Sequence, residues 1–407
     1  MTQNQLEEQN TFTSWSWRFC DDLSSLSDIE WQSSTGNDSP FLSLPFLQLL
    51  ANSKSVDGDT GWQSNHILIF EQGISENKIE NEKILALVPC YLKTHSYGEY
   101  VFDHAWANAY HQYQLPYYPK LVVAIPFTPV TGSRALLSTK AYEINLDEEM
   151  IFSYLARQKD EIIKRASASS LHVLFTPKSI SDALRDNHLH QRLSVQFVWQ
   201  NRAYANFDEF LAALTSRKRK SIRKERAPFV NTSNIEIRTL FEDNLDKKTV
   251  EDFYRCYQQT YFKRSGHAGY LTRTFFEKLI DVMRKQICIV GAFKDERMIA
   301  ASLFFYNSHT LYGRYWGSLE EVSGLHFECC YYRGIEFAIS KQLQTFNPGT
   351  QGEHKILRGF APSFCYSNHF LAHESFDNAV ADFVKREKPA IEQYFEQASA
   401  ILPYKQS

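Results

Sequence analysis

The sequence holds no apolar run close to the ~20 residues that a membrane-spanning helix needs. Its opening stretch, MTQNQLEEQN, is polar and acidic. It lacks both the basic-then-apolar pattern and the small-residue cleavage site of a secretory signal. Cysteine is sparse: Cys20, Cys90, Cys256, Cys288, Cys329, Cys330 and Cys365 are odd in number and scattered, with no Cys-x-x-Cys pair. That pattern reads as reduced thiols in a cytoplasm rather than a disulfide framework. No strong charge of one sign is present either. The formal net charge is −3, so a nucleic acid or a membrane surface would have to be met by a local patch. A Walker loop, a Gly-x-Ser-x-Gly elbow, a His-Glu-x-x-His pair and a strand-coupled Gly-x-Gly-x-x-Gly are all missing, which argues against NTPases, α/β-hydrolases, zincins and dinucleotide enzymes.

What is present fits a folded protein of two domains. The 407 residues are too many for one compact core and divide at about 1–205 and 206–407. The 30 Phe and 22 Tyr are mostly core, with some available to line a groove. Polar loops are read at 51–64 and 73–82. Strand-like runs stand at 66–70, 83–93, 100–102 and 120–127, followed by a helix at about 148–166, a strand at 171–175, a helix from Ser181 and a strand at 194–199. A second series starts with FDEFLAALTSRKRKSIRKER, read as one helix closed by Pro228. A strand at 235–241, helices at 246–262 and 272–284, a three-strand meander over 286–317, a helix at 325–343 and a final helix at 376–400 follow.

Several stretches carry groups that can do chemistry. In the run from Arg217 to Arg226, seven of ten residues are cationic. Arg219, Arg223 and Arg226 share one helical face, and Arg217, Lys220 and Lys224 another. Like charges at this spacing cost about 0.2–0.5 kcal/mol per pair, so the run calls for acidic neighbours or for a phosphate-rich ligand. In NPGTQGEHKILRGF, residues 347–360, Gly352 permits a tight turn beside Glu353, His354, Lys355 and Arg358. A Lys or Arg there can stabilise an oxyanion, and His354 or Glu353 can move a proton; the other reading is a solvated hairpin tip. Gly132, Ser133 and Arg134 suggest an anion-binding nest at a helix start. The stretch 94–113 offers Glu99 or Asp103 as a base, with Trp106 and Tyr110 as groove walls. Cys365, His369 and His373 would share a face if helical and, with His354, would make a zinc site.

The stretches GEYVFDHAWANAY, YYPKLVVAIPFTPVTGSRALL, FLAALTSRKRKSIRKER and GTQGEHKILRGF resemble, in collinear order, the FemAB-like predicted N-acyltransferases of bacteria. The resemblance implies an α/β (α+β) fold of tandem GNAT-like domains, each a mixed, largely antiparallel sheet flanked by helices, facing a shared cleft. It implies transfer of an acyl or aminoacyl group from a phosphate-containing carrier, aminoacyl-tRNA or acyl-CoA, to an amine, such as that of a cell-wall precursor. No tightly bound cofactor and no metal are expected, and peripheral membrane contact is compatible with it. Lys355 stands where the Fem transferases have the lysine of a Phe-Lys motif, with His354 in place of the Phe. The coenzyme A loop of ordinary GNAT enzymes, Arg/Gln-x-x-Gly-x-Gly/Ala, is matched only at Gly132 or at Gly324. A non-catalytic binder of RNA or cell-wall precursor, or a zinc hydrolase, are the other readings.

Overall fold

The computed structural model describes residues 14–26, 31–33, 39–71, 84–230, 234–350 and 352–405. The opening MTQNQLEEQN and the polar loop at 73–82 lie outside them. The chain forms two compact units, one of Met1–Leu193 with Cys365–Pro389, the other of Ser194–Phe364 with Ala390–Ser407. Among the described residues, no helix is long and apolar enough to cross a membrane.

The first unit is built on two sheets. Its strands are β1 (Trp15–Cys20), β2 (Trp31–Ser33), β3 (Trp62–Ser64), β4 (His66–Glu71), β5 (Ile84–Val88), β6 (Cys90–Lys93), β7 (Lys120–Val123), β8 (Leu136–Ser138) and β9 (Ser170–Thr176). One sheet runs β1-β4-β5-β8-β2, antiparallel throughout. Every residue of β5 is buried, so this sheet is covered on both faces and its strands need no polar alternation. In the other sheet, β3, β6 and β7 pair antiparallel and β7 pairs parallel to β9. The helices are α1 (Leu44–Asn52), α2 (His104–Gln112), α3 (Thr139–Glu143), α4 (Glu148–Arg157), α5 (Lys159–Ala166) and α6 (Lys178–Asp186). The helix expected over 148–166 is thus two, α4 capped by Asp147 through Met150 N and parted from α5 at Gln158. The strand expected at 100–102 is absent. Tyr100 has φ +62°, a left-handed conformation that turns the chain out of any ladder.

The second unit begins in β10 (His190–Gln200) and adds α7 (Phe207–Ala213), α8 (Ser216–Val230), β11 (Glu236–Phe241), α9 (Lys247–Ser265), α10 (Arg273–Met283), β12 (Ile287–Lys294), β13 (Arg297–Tyr306) and β14 (Thr310–Ser318). Leu325–Phe327 opens a helix that widens into a π turn over Glu328–Tyr332 and continues as α11 (Arg333–Ser340). β15 (Thr345–Asn347), β16 (Ala361–Leu371) and α12 (Glu374–Ala400) complete the chain. The strand order within the unit is β11-β12-β13-β14-β15-β10. The meander expected over 286–317 is β12-β13-β14, antiparallel with close turns. Beyond Phe364, Tyr366–Leu371 of β16 pairs antiparallel with β9 in the first unit.

The single helix expected from Phe207 to Pro228 is instead two. Leu214 is extended, forms a bridge with Tyr404, and the next residue, Thr215, donates its N–H to Pro403 O at 2.9 Å. A tertiary backbone pairing therefore interrupts a stretch whose local propensity is helical. Pro228 does not end α8 but lies within its last turn, where the missing N–H costs one bond only.

Candidate functional site

β14 and β15 set the place. They pair in parallel for three residues, Thr310–Tyr312 against Thr345–Asn347, and then part. Pro348 and Gly349 leave β15 beside Gly313, where a β-carbon on Gly313 would stand 3.2 Å from Pro348 Cα. The chain then reaches Gly352, whose φ of +101° suits glycine, and enters a 3-10 turn over Glu353–Arg358. The other reading, a solvated hairpin tip, does not hold: the stretch is a helical turn that buries Lys355 and Arg358.

Lys355 is only 2% exposed. Its Nζ donates to Gly349 O at 2.7 Å and to Thr350 O at 3.0 Å. Burial without a carboxylate partner pushes the amine down to about 7. Arg358, also buried, donates through Nε to Tyr332 Oη at 3.0 Å, through Nη1 to His354 O at 2.8 Å and through Nη2 to Glu225 Oε2 at 2.7 Å. Its guanidinium lies 3.6 Å from the centre of the Phe327 ring. His354 is exposed, with Nε2 at 2.9 Å from Tyr331 Oη. Partial burial, then the charges of Arg358 and Lys355, lower its pKa. Glu353, exposed, accepts from Tyr394 Oη at 3.0 Å.

A cavity of about 580 Å³ is lined by Thr260, Lys263, Arg264, Trp316, Leu325 and His326 among others, and no residue of the Glu353–Arg358 turn is in its lining. His326 joins the two. Its ring is 5.3 Å from that of Trp316 and 6.4 Å from that of His354. Burial, then His354, Arg264, Arg358 and Lys355, push its pKa to about 4, so the ring is neutral near pH 7. Nothing in the sequence marked His326, because it stands alone in an apolar helix start. Gly324 immediately precedes that start with φ +82°. Glu320 and Glu321 flank the cavity there, Glu321 at 3.7 Å from Lys263.

The cationic run splits three ways. Arg226 is buried, bonded to both oxygens of Glu328 and to Glu336 at 2.7 Å. Arg223 pairs with Asp208 at 3.2 Å, exposed, and Arg219 is half-buried beside Ser216. Arg217, Lys220 and Lys224 are exposed and, among the described residues, have no carboxylate partner. The face of Arg219, Arg223 and Arg226 is therefore not one ligand surface. The face of Arg217, Lys220 and Lys224 is open.

The first-unit candidates are engaged internally. Glu99 and Asp103 are 4% and 3% exposed and both bind Lys120, Glu99 at 2.8 Å. Tyr117 Oη donates to Asp103 at 2.7 Å. Burial raises Glu99 to about 7. For Asp103, burial is outweighed by Lys120, His172 and the donated hydrogen bonds, which hold it at about 2. Neither carboxylate is placed to take a proton from a ligand in solvent. Trp106 and Tyr110, both on α2, are buried against this region; Trp106 packs on His172 and His369, and Tyr110 on Phe376. Gly132, Ser133 and Arg134 start no helix. The N–H groups of Arg134 and Ala135 donate to Glu148, and the Arg134 guanidinium donates to the carbonyls of Val130, Gly132, Ser133 and Leu174. The chain's own carboxylate thus fills the expected anion nest. Cys365 and His369 lie on β16, not on a helix, and His373 follows the strand end. His369 Nδ1 faces His172 Nδ1 at 2.8 Å. Among the described residues, no three His, Cys, Asp or Glu side chains converge as metal ligands, so the zinc reading has no ligand set there.

A family profile described as FemAB-like, peptidoglycan biosynthesis/recognition, matches residues 22–406. The chain belongs to the FemAB-like family. No curated protein sequence matches the chain. Among solved structures, FemX is similar at 10% identity, covering 79% of this chain and 91% of that one, with a TM-score of 0.45. A conserved protein from Bacteroides thetaiotaomicron VPI-5482 is similar at 12% identity over 86% of this chain and 98% of that one, TM-score 0.46. A tandem GNAT protein from the clavulanic acid pathway is similar at 8% identity over 88% and 99%, TM-score 0.43.

Proposed function

We propose that the chain is an N-acyltransferase whose chemistry is done in the second unit, at the Glu353–Arg358 turn and the cavity that His326 joins to it. The observation that supports it is Lys355: a buried amine that has no carboxylate partner among the described residues and is held by two carbonyls at the point where two parallel strands part. In this reading the acceptor amine enters the cavity and its nitrogen bonds to the acyl carbon. The carrier's C–O or C–S bond breaks. The amine proton passes to His354, neutral and oriented by Tyr331, and then to the departing oxygen or sulfur. Lys355, helped by His326 as a neutral N–H donor, stabilises the oxyanion that forms between these steps.

The donor is an acyl or aminoacyl group on a phosphate-bearing carrier, aminoacyl-tRNA or acyl-CoA, and the acceptor an amine of a cell-wall precursor. Glu320 and Glu321 flank the loop before Gly324, where a coenzyme A pyrophosphate would meet like charge; this favours the aminoacyl carrier. A screen of acyl-CoAs against charged tRNAs, with amine acceptors and mass-spectrometric detection of the new amide, tests the reading. Product from charged tRNA is expected; no amide from either class would contradict it.

A further inference from the structure

The outward face of α8 has a cationic half and an aliphatic half. Arg217, Lys220 and Lys224 project from the first turns, exposed and without a carboxylate partner among the described residues. No acidic residue stands three or four positions from any of the three on the helix, so their mutual repulsion is not relieved locally. Further along, Lys220, Arg223, Ala227 and Val230 fall at i, i+3, i+7 and i+10 and share a stripe. Val230, at the end of that stripe, is 59% exposed. Beside it lies a groove of about 410 Å³ whose apolar floor is Phe207, Leu211, Ala227 and Val230 and whose rim carries Arg223, Arg226 and Arg333 together with Asp208 and Glu336. Leu357, on the turn that Arg358 ties to Glu225 of this helix, is another aliphatic side chain left 42% exposed.

We infer that this face of the second unit docks on the surface of an anionic phospholipid membrane. The partner must accept two chemistries at once: clustered cations and exposed aliphatic groups next to them. A lipid surface does, with phosphates outside and hydrocarbon a few ångströms deeper. A nucleic acid accepts the cations through its phosphates, but it gives the exposed aliphatic side chains of Val230 and Leu357 no hydrocarbon to enter. The buried face of the helix, with Ile222, Arg226 and Phe229, is committed to the fold, so α8 adsorbs as part of the folded unit and does not insert. This docking stands apart from the transfer chemistry and needs no turnover to be observed.

The test is co-sedimentation of the full chain with vesicles of phosphatidylcholine alone and of phosphatidylcholine mixed equally with phosphatidylglycerol. The protein is expected to sediment with the mixed vesicles, less so as salt rises, and to stay in solution with the neutral ones. Each juxtamembrane cation contributes about fivefold in partitioning, so the Arg217→Glu, Lys220→Glu, Lys224→Glu triple variant, which also adds repulsion, should lose at least on the order of a hundredfold. These side chains are exposed, and circular dichroism melting confirms that the variant is folded. Val230→Asp keeps the cations and should also weaken vesicle binding. Equal sedimentation of wild type and triple variant would overturn the inference. So would binding of tRNA that the triple variant loses, in a protein that ignores the mixed vesicles.

Discussion

Arg358 donates through Nη2 to Glu225 Oε2 at 2.7 Å, tying the turn after Gly352 to α8 across 133 residues of sequence. The same carboxylate oxygen accepts from Tyr332 Oη. One glutamate in the middle of a cationic run therefore orients the candidate catalytic turn. Glu225→Ala leaves a buried guanidinium short of an acceptor and should cost about 1–3 kcal/mol, read by urea denaturation, together with a fall in transfer. Glu225→Gln, which keeps an acceptor oxygen, should lose less of both. A harmless Glu225→Ala would mean that the turn is positioned without it.

In the first unit, Lys120 is the cation between Glu99 and Asp103. Lys120→Met strands buried Asp103 and leaves buried Glu99 with only Lys93, 4.0 Å away. Losing one partner of a buried ion pair costs about 3–5 kcal/mol, so a lowered denaturation midpoint is expected. An unchanged midpoint would show that this network is not what holds the loop before β7.

Gly352→Ala tests the turn's backbone. The residue sits at φ +101°, and an added β-carbon would come within 2.5 Å of the His354 ring. Backbone strain of about 1–3 kcal/mol is expected, and the displaced imidazole should slow transfer even where the variant remains folded at the assay temperature.

The pH dependence of stability reports on Lys355. Burial depresses its pKa from 10.5 to about 7. Below that value the folded protein carries a buried charge and bears the full penalty. Between about 7 and 10.5 the unfolded chain binds a proton that the folded chain does not, so stability rises with pH across this window. Lys93, buried in the first unit and also lowered to about 7, contributes with the same sign. Urea midpoints of Lys355→Met should rise less steeply than wild type over the same range. Parallel curves would show that the amine is not depressed.

Much of the scaffold can be read from residues. The meander β12-β13-β14 is announced by apolar runs and by the turns DER and NSHT, and α4 by Asp147 at its cap, because these signals are local. The features that escape the sequence are those decided at a distance. Leu214 and Thr215 break a helical stretch only because the 403–405 segment pairs with them. Lys120 opens an apolar run that reads simply as a strand, yet it neutralises two carboxylates in the loop before it. Glu148 accepts the N–H groups of Arg134 and Ala135, so a Gly-Ser-Arg stretch that looks like an anion nest already holds its anion. His354, Lys355 and Arg358 are legible as a cluster, but their partners Glu225, His326, Tyr331 and Tyr332 come from other elements.

Lys355 is the side chain on which the proposed transfer chemistry most directly depends. Lys355→Met removes a buried amine that bonds carbonyls only, so the fold should be retained. Loss of a donor to an oxyanion lowers kcat by about 10²–10³. The decisive measurement is the rate of amide formation by wild type and Lys355→Met with the same donor and acceptor, each checked for folding by its melting curve. A folded variant with transfer reduced by that order is the predicted result. A folded variant that transfers at the wild-type rate would contradict the assignment of the chemistry to this turn.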